Sequence, residues 1–103
     1  MNGPPLTLLY TREAEKVLDD LRNGGAQYAA KLKKVRKALR LIEQLGPRHP
    51  GLQSHIYHSV PGPCGAKLWE SYVENKTSSA WRIWWIYGPA AGQITIVTVG
   101  PHP

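Results

Sequence analysis

The spacing of apolar residues changes partway along the chain, and that change restricts it to folds that pack helices on a sheet. From Ala14 to Leu45 the apolar positions recur at helical period, whereas from Lys67 onward they alternate as in strands. Leu6 to Tyr10 reads as a short opening strand. Thr11 follows as a helix N-cap, with Glu13 and Glu15 in the first turn, where the helix dipole favours acids. Ala14, Val17, Leu18 and Leu21 then form one apolar stripe, and Arg22-Asn23-Gly24-Gly25 stops the helix. A second helix is predicted from Ala26 to Leu45, with Tyr28, Leu32, Val35, Leu39 and Ile42 on its buried face. Lys33, Arg36, Lys37 and Arg40 gather on the opposite face, and Gly46-Pro47 ends the helix. The Gly-Gly turn makes the pair a helical hairpin.

Between Pro47 and Gly65 the composition shifts to Pro, Gly, His and Ser, a loop with one short strand around Ser54 to His58. Strands are predicted at Lys67 to Glu74, Trp81 to Tyr87 and Gln93 to Val99. The turn-like segments at 75–80 and 88–92 pair neighbouring strands as antiparallel hairpins. The expected order is β-α-α-β-β-β-β over residues 1–103. It describes one α+β domain with a mostly antiparallel sheet and the helical hairpin on one face.

A formal net charge of +6 on 103 residues favours a polyanionic partner, nucleic acid first and an acidic protein second. Four Trp and five Tyr, with no Phe, supply aromatic area that also carries a polar handle. The single Cys64 excludes an internal disulfide. With neither a secretory pattern nor a membrane-length apolar run, the expected location is the cytoplasm. No cofactor is expected. His49, His55, His58 and Cys64 match no familiar zinc spacing, Cys64 has no helix N-terminus to activate it, and Pro61-Gly62-Pro63 lacks the lysine of a phosphate loop.

Strand parity brings the chemistry-bearing residues together. Trp81, Ile83, Trp85 and Tyr87 share one face, and Trp69, Ser71 and Val73 join them beneath the helices. Arg82, Trp84, Glu70, Tyr72 and Glu74 are left on the open face, where His102, between two prolines, is expected to fold back. Cleavage of RNA by its own 2′-hydroxyl needs a base, a cation for the phosphate and an acid for the departing 5′-oxygen. Arg82 suits the cation and His102 the acid. Glu70 or Glu74, or a loop histidine (His49, His55 or His58), is the candidate base, and Trp84 and Tyr72 are candidates for stacking bases. The same residues also fit a Glu70–Arg82 ion pair on a solvated face, and the basic helix face fits an ordinary solvated surface.

The element order, the basic second helix, the strand Ala80-Trp81-Arg82-Ile83-Trp84-Trp85 and His102 together resemble the RelE/ParE superfamily of bacterial type II toxins. Pro47-Arg48-His49-Pro50-Gly51-Leu52 and Trp69-Glu70-Ser71-Tyr72-Val73-Glu74-Asn75 are similar to a RelE-like subgroup whose chains end in Pro-His-Pro. The resemblance implies a toxin neutralised by a cognate antitoxin. RelE-type members cleave mRNA, mostly in the ribosomal A site, leaving a 2′,3′-cyclic phosphate, and ParE-type members poison DNA gyrase. By position it implies that Arg82 contacts the scissile phosphate and that His102 is an acid or base. It also implies that Lys33, Arg36, Lys37, Arg40 and Arg48 face ribosomal RNA. Two departures stand out: Arg48-His49-Pro50-Gly51 replaces a loop that carries a catalytic Glu in some members, and Pro103 replaces a Tyr. They leave a gyrase inhibitor or a non-catalytic basic nucleic-acid-binding module as alternatives.

Overall fold

The computed structural model describes residues 5–103. Its elements are β1 (Thr7–Tyr10), α1 (Arg12–Asn23), α2 (Ala26–Leu45), β2 (His55–Ile56), β3 (Trp69–Tyr72), β4 (Trp81–Tyr87) and β5 (Gln93–Pro101). The sheet order is β1-β5-β4-β3-β2, with β1 parallel to β5 and every other pair antiparallel. The chain therefore starts at one edge, crosses through the two helices to the other edge, and returns strand by strand. This is the expected α+β arrangement.

Thr11 fixes the first helix to the sheet. Its Oγ1 accepts the Ala14 N–H (3.1 Å) as an N-cap and donates to the Val97 carbonyl (2.6 Å), while its own N–H donates to Ile96 O (3.1 Å). The Val97 carbonyl is available because β5 carries a bulge there. Trp84 pairs with Thr98 but Trp85 pairs with Ile96, leaving Val97 over. The bulge also resets the parity of β5, so that Ile94, Ile96 and then Val99 are buried.

The core lies between the helical hairpin and one face of the sheet, joining Ala14, Leu18 and Leu21 of α1 and Val35, Leu39 and Ile42 of α2 to Ile83, Trp85, Ile94 and Ile96. Full burial of an aliphatic side chain such as Ile42 or Ile96 contributes about 1.5–3 kcal/mol. Trp85 is buried with its indole satisfied: Nε1–H donates to Ser71 Oγ (2.7 Å). No helix is long and apolar enough to cross a membrane among the described residues.

Four expectations are corrected. Tyr28 is not on the buried face of α2; it is 43% exposed, because the helix begins beyond the edge of the core. Strand β3 ends at Tyr72, since the N–H groups of Val73 and Glu74 both donate to Trp81 O (3.1 Å each) and break the alternation. Glu74 consequently leaves the open face and meets α2. Trp84 faces away from the helices as expected, yet is only 7% exposed, because Tyr57 packs edge-on against it at 5.8 Å.

Candidate active site

Cross-strand partners share a face of the sheet. The pairs His55–Glu70, Tyr72–Arg82 and Arg82–Gly100 therefore build one continuous surface opposite the helices. His102 joins it without folding back. Its N–H donates to Ala80 O (2.8 Å), extending the β4–β5 ladder by one step and placing it two residues beyond Gly100 on the same face. Gly100 brings no side chain, and a Cβ there would meet nothing within 4 Å, although Arg82 itself is only 8% exposed.

Glu70 is the centre of this surface. It is 2% exposed, and its carboxylate meets His55 Nε2 at 2.9 Å, Arg82 Nε at 3.9 Å and His102 Nε2 at 3.8 Å. The arrangement is not the solvated ion pair that the sequence also allowed. A buried charge is costly unless it is paired, and here three potential cations surround one carboxylate. Glu70 Oε2 and Arg82 Nε have no hydrogen-bond partner among the described residues. Buried polar groups of this kind are rare away from functional sites.

The hydrogen bonds of His55 fix its proton count. Nδ1 lies 2.9 Å from the Gln53 carbonyl oxygen, which only accepts, so Nδ1 carries a hydrogen. Nε2 lies 2.9 Å from Glu70 Oε1, and a carboxylate also only accepts. One proton must therefore sit between the two, on the ring or on the carboxyl group. With that proton shared, the His55–Glu70 pair is neutral as a unit. His102 differs: Nδ1 is 3.0 Å from the main-chain oxygen of Pro103 and donates to it, while Nε2 makes no hydrogen bond among the described residues and lies 3.8 Å from Glu70 Oε2. Both imidazoles are about half exposed.

Arg82 is held by main-chain acceptors. Nη1 donates to Glu74 O (2.5 Å) and Trp81 O (3.2 Å), and Cζ sits 3.7 Å from the Tyr72 ring centroid. With the neutral His55–Glu70 pair, this guanidinium leaves the group with a net charge of +1, suited to one phosphodiester.

A relay of hydroxyls positions His55. Ser71, bonded to Trp85, lies 2.7 Å from Ser54 Oγ, and the Ser54 hydroxyl donates to the Pro47 carbonyl just beyond α2. The loop that carries His55 is thus anchored to the core one residue earlier. Sequence parity placed Ser71 on the helix-facing side without assigning it a role. A lone hydroxyl among Trp69, Val73 and Trp85 was the signal.

The other predicted residues lie elsewhere. Glu74 Oε1 accepts from Lys31 Nζ (2.5 Å) and the Trp81 N–H (3.1 Å), while Oε2 accepts from Lys34 Nζ (3.1 Å). The lysine hydrogen bonds outweigh partial burial and hold this carboxyl at a pKa of about 2. Glu74 joins the Glu70 group only through its main-chain oxygen on Arg82. His49 caps a turn at Pro50–Leu52, its Nδ1 accepting the Gly51 N–H (3.1 Å), and Arg48 lies over the Trp69 ring at 5.4 Å on the helix side. Lys33, Arg36, Lys37 and Arg40 are exposed along α2, as the helical period required.

No protein-family model and no curated protein sequence matches the chain. Solved structures do. YoeB from Staphylococcus aureus, described as a dimer, is 11% identical, with 96% of this chain and 99% of that one covered and a TM-score of 0.66. RelE in the archaeal RelE–RelB complex from Pyrococcus horikoshii is 11% identical over 94% of each chain (TM-score 0.62). YafQ from Escherichia coli is 12% identical, with 94% and 93% covered (TM-score 0.58). The chain shares the fold of these structures, which is the fold that the sequence resemblance implied.

Proposed function

We propose that this chain is the toxin of a type II toxin–antitoxin pair and that it cleaves mRNA at the ribosome without a metal ion. The observation that carries this reading is the buried Glu70, flanked by Arg82 and by two half-exposed histidines, one hydrogen-bonded to its carboxylate and one whose Nε2 makes no hydrogen bond among the described residues. The fold supports it by analogy.

In this mechanism a non-bridging phosphate oxygen lies on the Arg82 guanidinium. His102 Nε2 removes the proton of the 2′-hydroxyl, and the O2′–P bond forms. As the P–O5′ bond breaks, the leaving oxygen takes a proton from the His55–Glu70 pair, giving a 2′,3′-cyclic phosphate and a free 5′-hydroxyl. The protonated His102 is then stabilised by Glu70 Oε2. The assignment exchanges the acid role that sequence alone favoured for His102, because Nδ1 is taken by the Pro103 oxygen and Nε2 is engaged in no hydrogen bond among the described residues. The general acid and the general base each supply about 10²–10⁴-fold, and the phosphate cation a comparable share. Exposed Lys33, Arg36, Lys37 and Arg40 would meet ribosomal RNA, a cytoplasmic target, and the partner that restrains the toxin would be a cognate antitoxin.

The test is translation of a defined mRNA with the protein present, mapping new 5′ ends by primer extension. Wild type gives codon-associated cuts that a chelator does not suppress, and Arg82→Ala and His102→Ala lose them while staying folded. Blocked gyrase supercoiling with intact mRNA contradicts the proposal.

A further inference from the structure

The two carbonyls that hold the Arg82 guanidinium belong to Glu74 and Trp81, at 2.5 and 3.2 Å from Nη1, while Nε has no hydrogen-bond partner among the described residues. Those two residues are locked to each other. The Glu74 N–H donates to Trp81 O (3.1 Å), and the Trp81 N–H returns to Glu74 Oε1 (3.1 Å). They are also locked to α2. Lys31 Nζ donates to the same Oε1 (2.5 Å) and stands 5.2 Å from the Trp81 ring centroid, and Lys34 Nζ donates to Oε2 (3.1 Å). We infer that Lys31 and Glu74 are positioning residues for RNA cleavage: their ion pair braces the two carbonyls that aim Arg82 at the phosphate. The inference rests on the RNA-cleavage function proposed above and adds a support that comes from the helical hairpin.

Local structure explains why a brace is needed. Strand β3 ends at Tyr72, and residues 73–80 return to β4 through bends and turns, so no regular ladder fixes the Glu74 carbonyl. A main-chain oxygen in such a segment stands only as firmly as the contacts around it. The Lys31–Glu74 contact is suited to the task. It joins residues 43 apart in sequence, and both side chains are mostly buried, so solvent and salt screen it less than a surface pair. An ion pair that merely fastened α2 to the sheet would need the carboxylate and the lysine alone. Here the Trp81 N–H shares the carboxylate oxygen, and the two main-chain oxygens of the locked pair both accept from one guanidinium nitrogen. Displacing a catalytic group by about 1 Å costs about 10²-fold in rate, so a remote brace can govern the chemical step.

The experiment has two arms. In the first, cleavage at saturating RNA is measured for Glu74→Ala and for Lys31→Met, which keeps the apolar stem, each in the wild-type and in the Arg82→Lys background. Arg82→Lys retains a cation for residual cleavage but not the guanidinium fork. Both variants should lower kcat by roughly 10–10²-fold in the wild-type background and leave Arg82→Lys unchanged. For Glu74→Ala, KM should not rise, because loss of an acid makes the surface more basic. Equal slowing in both backgrounds, or an unchanged kcat in both variants, overturns the inference and leaves the nuclease intact. The second arm needs no cleavage. In ¹⁵N NMR spectra the Arg82 Nη signals, identified by their absence from Arg82→Lys, should be resolved in wild type and averaged by rotation in Glu74→Ala and Lys31→Met. Signals resolved alike in all three proteins overturn the inference. A wild type that cuts no RNA overturns the nuclease and this role in it, and the spectra then report separately whether the ion pair holds Arg82.

Discussion

His55 Nε2 and Glu70 Oε1 lie 2.9 Å apart across the β2–β3 ladder, and the Gln53 carbonyl on the other ring nitrogen obliges the pair to share one proton. A buried carboxylate is thereby kept beside Arg82 without a net negative charge to repel phosphate.

If that shared proton goes to the leaving group, its loss is bypassed by a better leaving group. RNA with sulfur in place of the 5′-bridging oxygen needs no acid. His55→Ala should cut ordinary RNA about 10²–10⁴-fold more slowly and the thio-substituted RNA at close to the wild-type rate. His102→Ala should be slow on both, and rescue of His102→Ala instead reverses the assignment.

Glu70→Gln separates catalysis from stability. It should lower the cleavage rate by about 10²-fold or more, because the pair no longer forms. Thermal unfolding should show a midpoint close to that of wild type, since Glu70 Oε2 has no hydrogen bond to lose among the described residues and Arg82 keeps its main-chain acceptors. A strongly lowered midpoint would mean that Glu70 serves folding more than function.

Much of this arrangement was legible in the sequence, and its gaps have identifiable causes. Thr11 could be read as a cap because the residues after it show helical period, and Arg82 could be placed because β4 runs unbroken through seven residues, so that parity alone fixes its side. Glu74 could not, since its side is set by two N–H groups converging on one carbonyl, which no periodicity records. Trp84 was correctly oriented but not recognised as covered, because Tyr57 reaches it from a loop without pattern. Choosing His55 over His49 and His58 required the register of a two-residue strand, too short to show alternation.

Ser71→Ala tests the hydroxyl relay. It strands the buried Trp85 N–H and cuts the tether to Ser54. Unfolding in urea should show a loss of about 1–3 kcal/mol, and cleavage at saturating RNA should also fall, because His55 loses its anchor. Destabilisation with a fully retained rate would show that Ser54 does not position His55.

Glu74 gives the fold a defined acid sensitivity. Its pKa is lowered from 4.5 to about 2, so the folded state binds the proton more weakly than the unfolded chain does. The stabilisation is complete above the unfolded value and disappears as pH falls from about 4.5 through 2. With Lys34 more than half exposed, it amounts to about 1–2 kcal/mol. Urea unfolding of wild type and Glu74→Gln should differ by this amount at pH 6 and converge near pH 2. A constant difference across that range excludes the carboxylate as the source.

The central claim is that the face built on Glu70 directs an RNA 2′-hydroxyl at its own phosphate. The most direct measurement compares two mRNAs on a programmed ribosome, identical except that one carries a single 2′-deoxynucleotide at the mapped cut. Only the all-ribose strand should be cut there, ending in a 2′,3′-cyclic phosphate. Equal cutting of both strands, or of neither, contradicts the account.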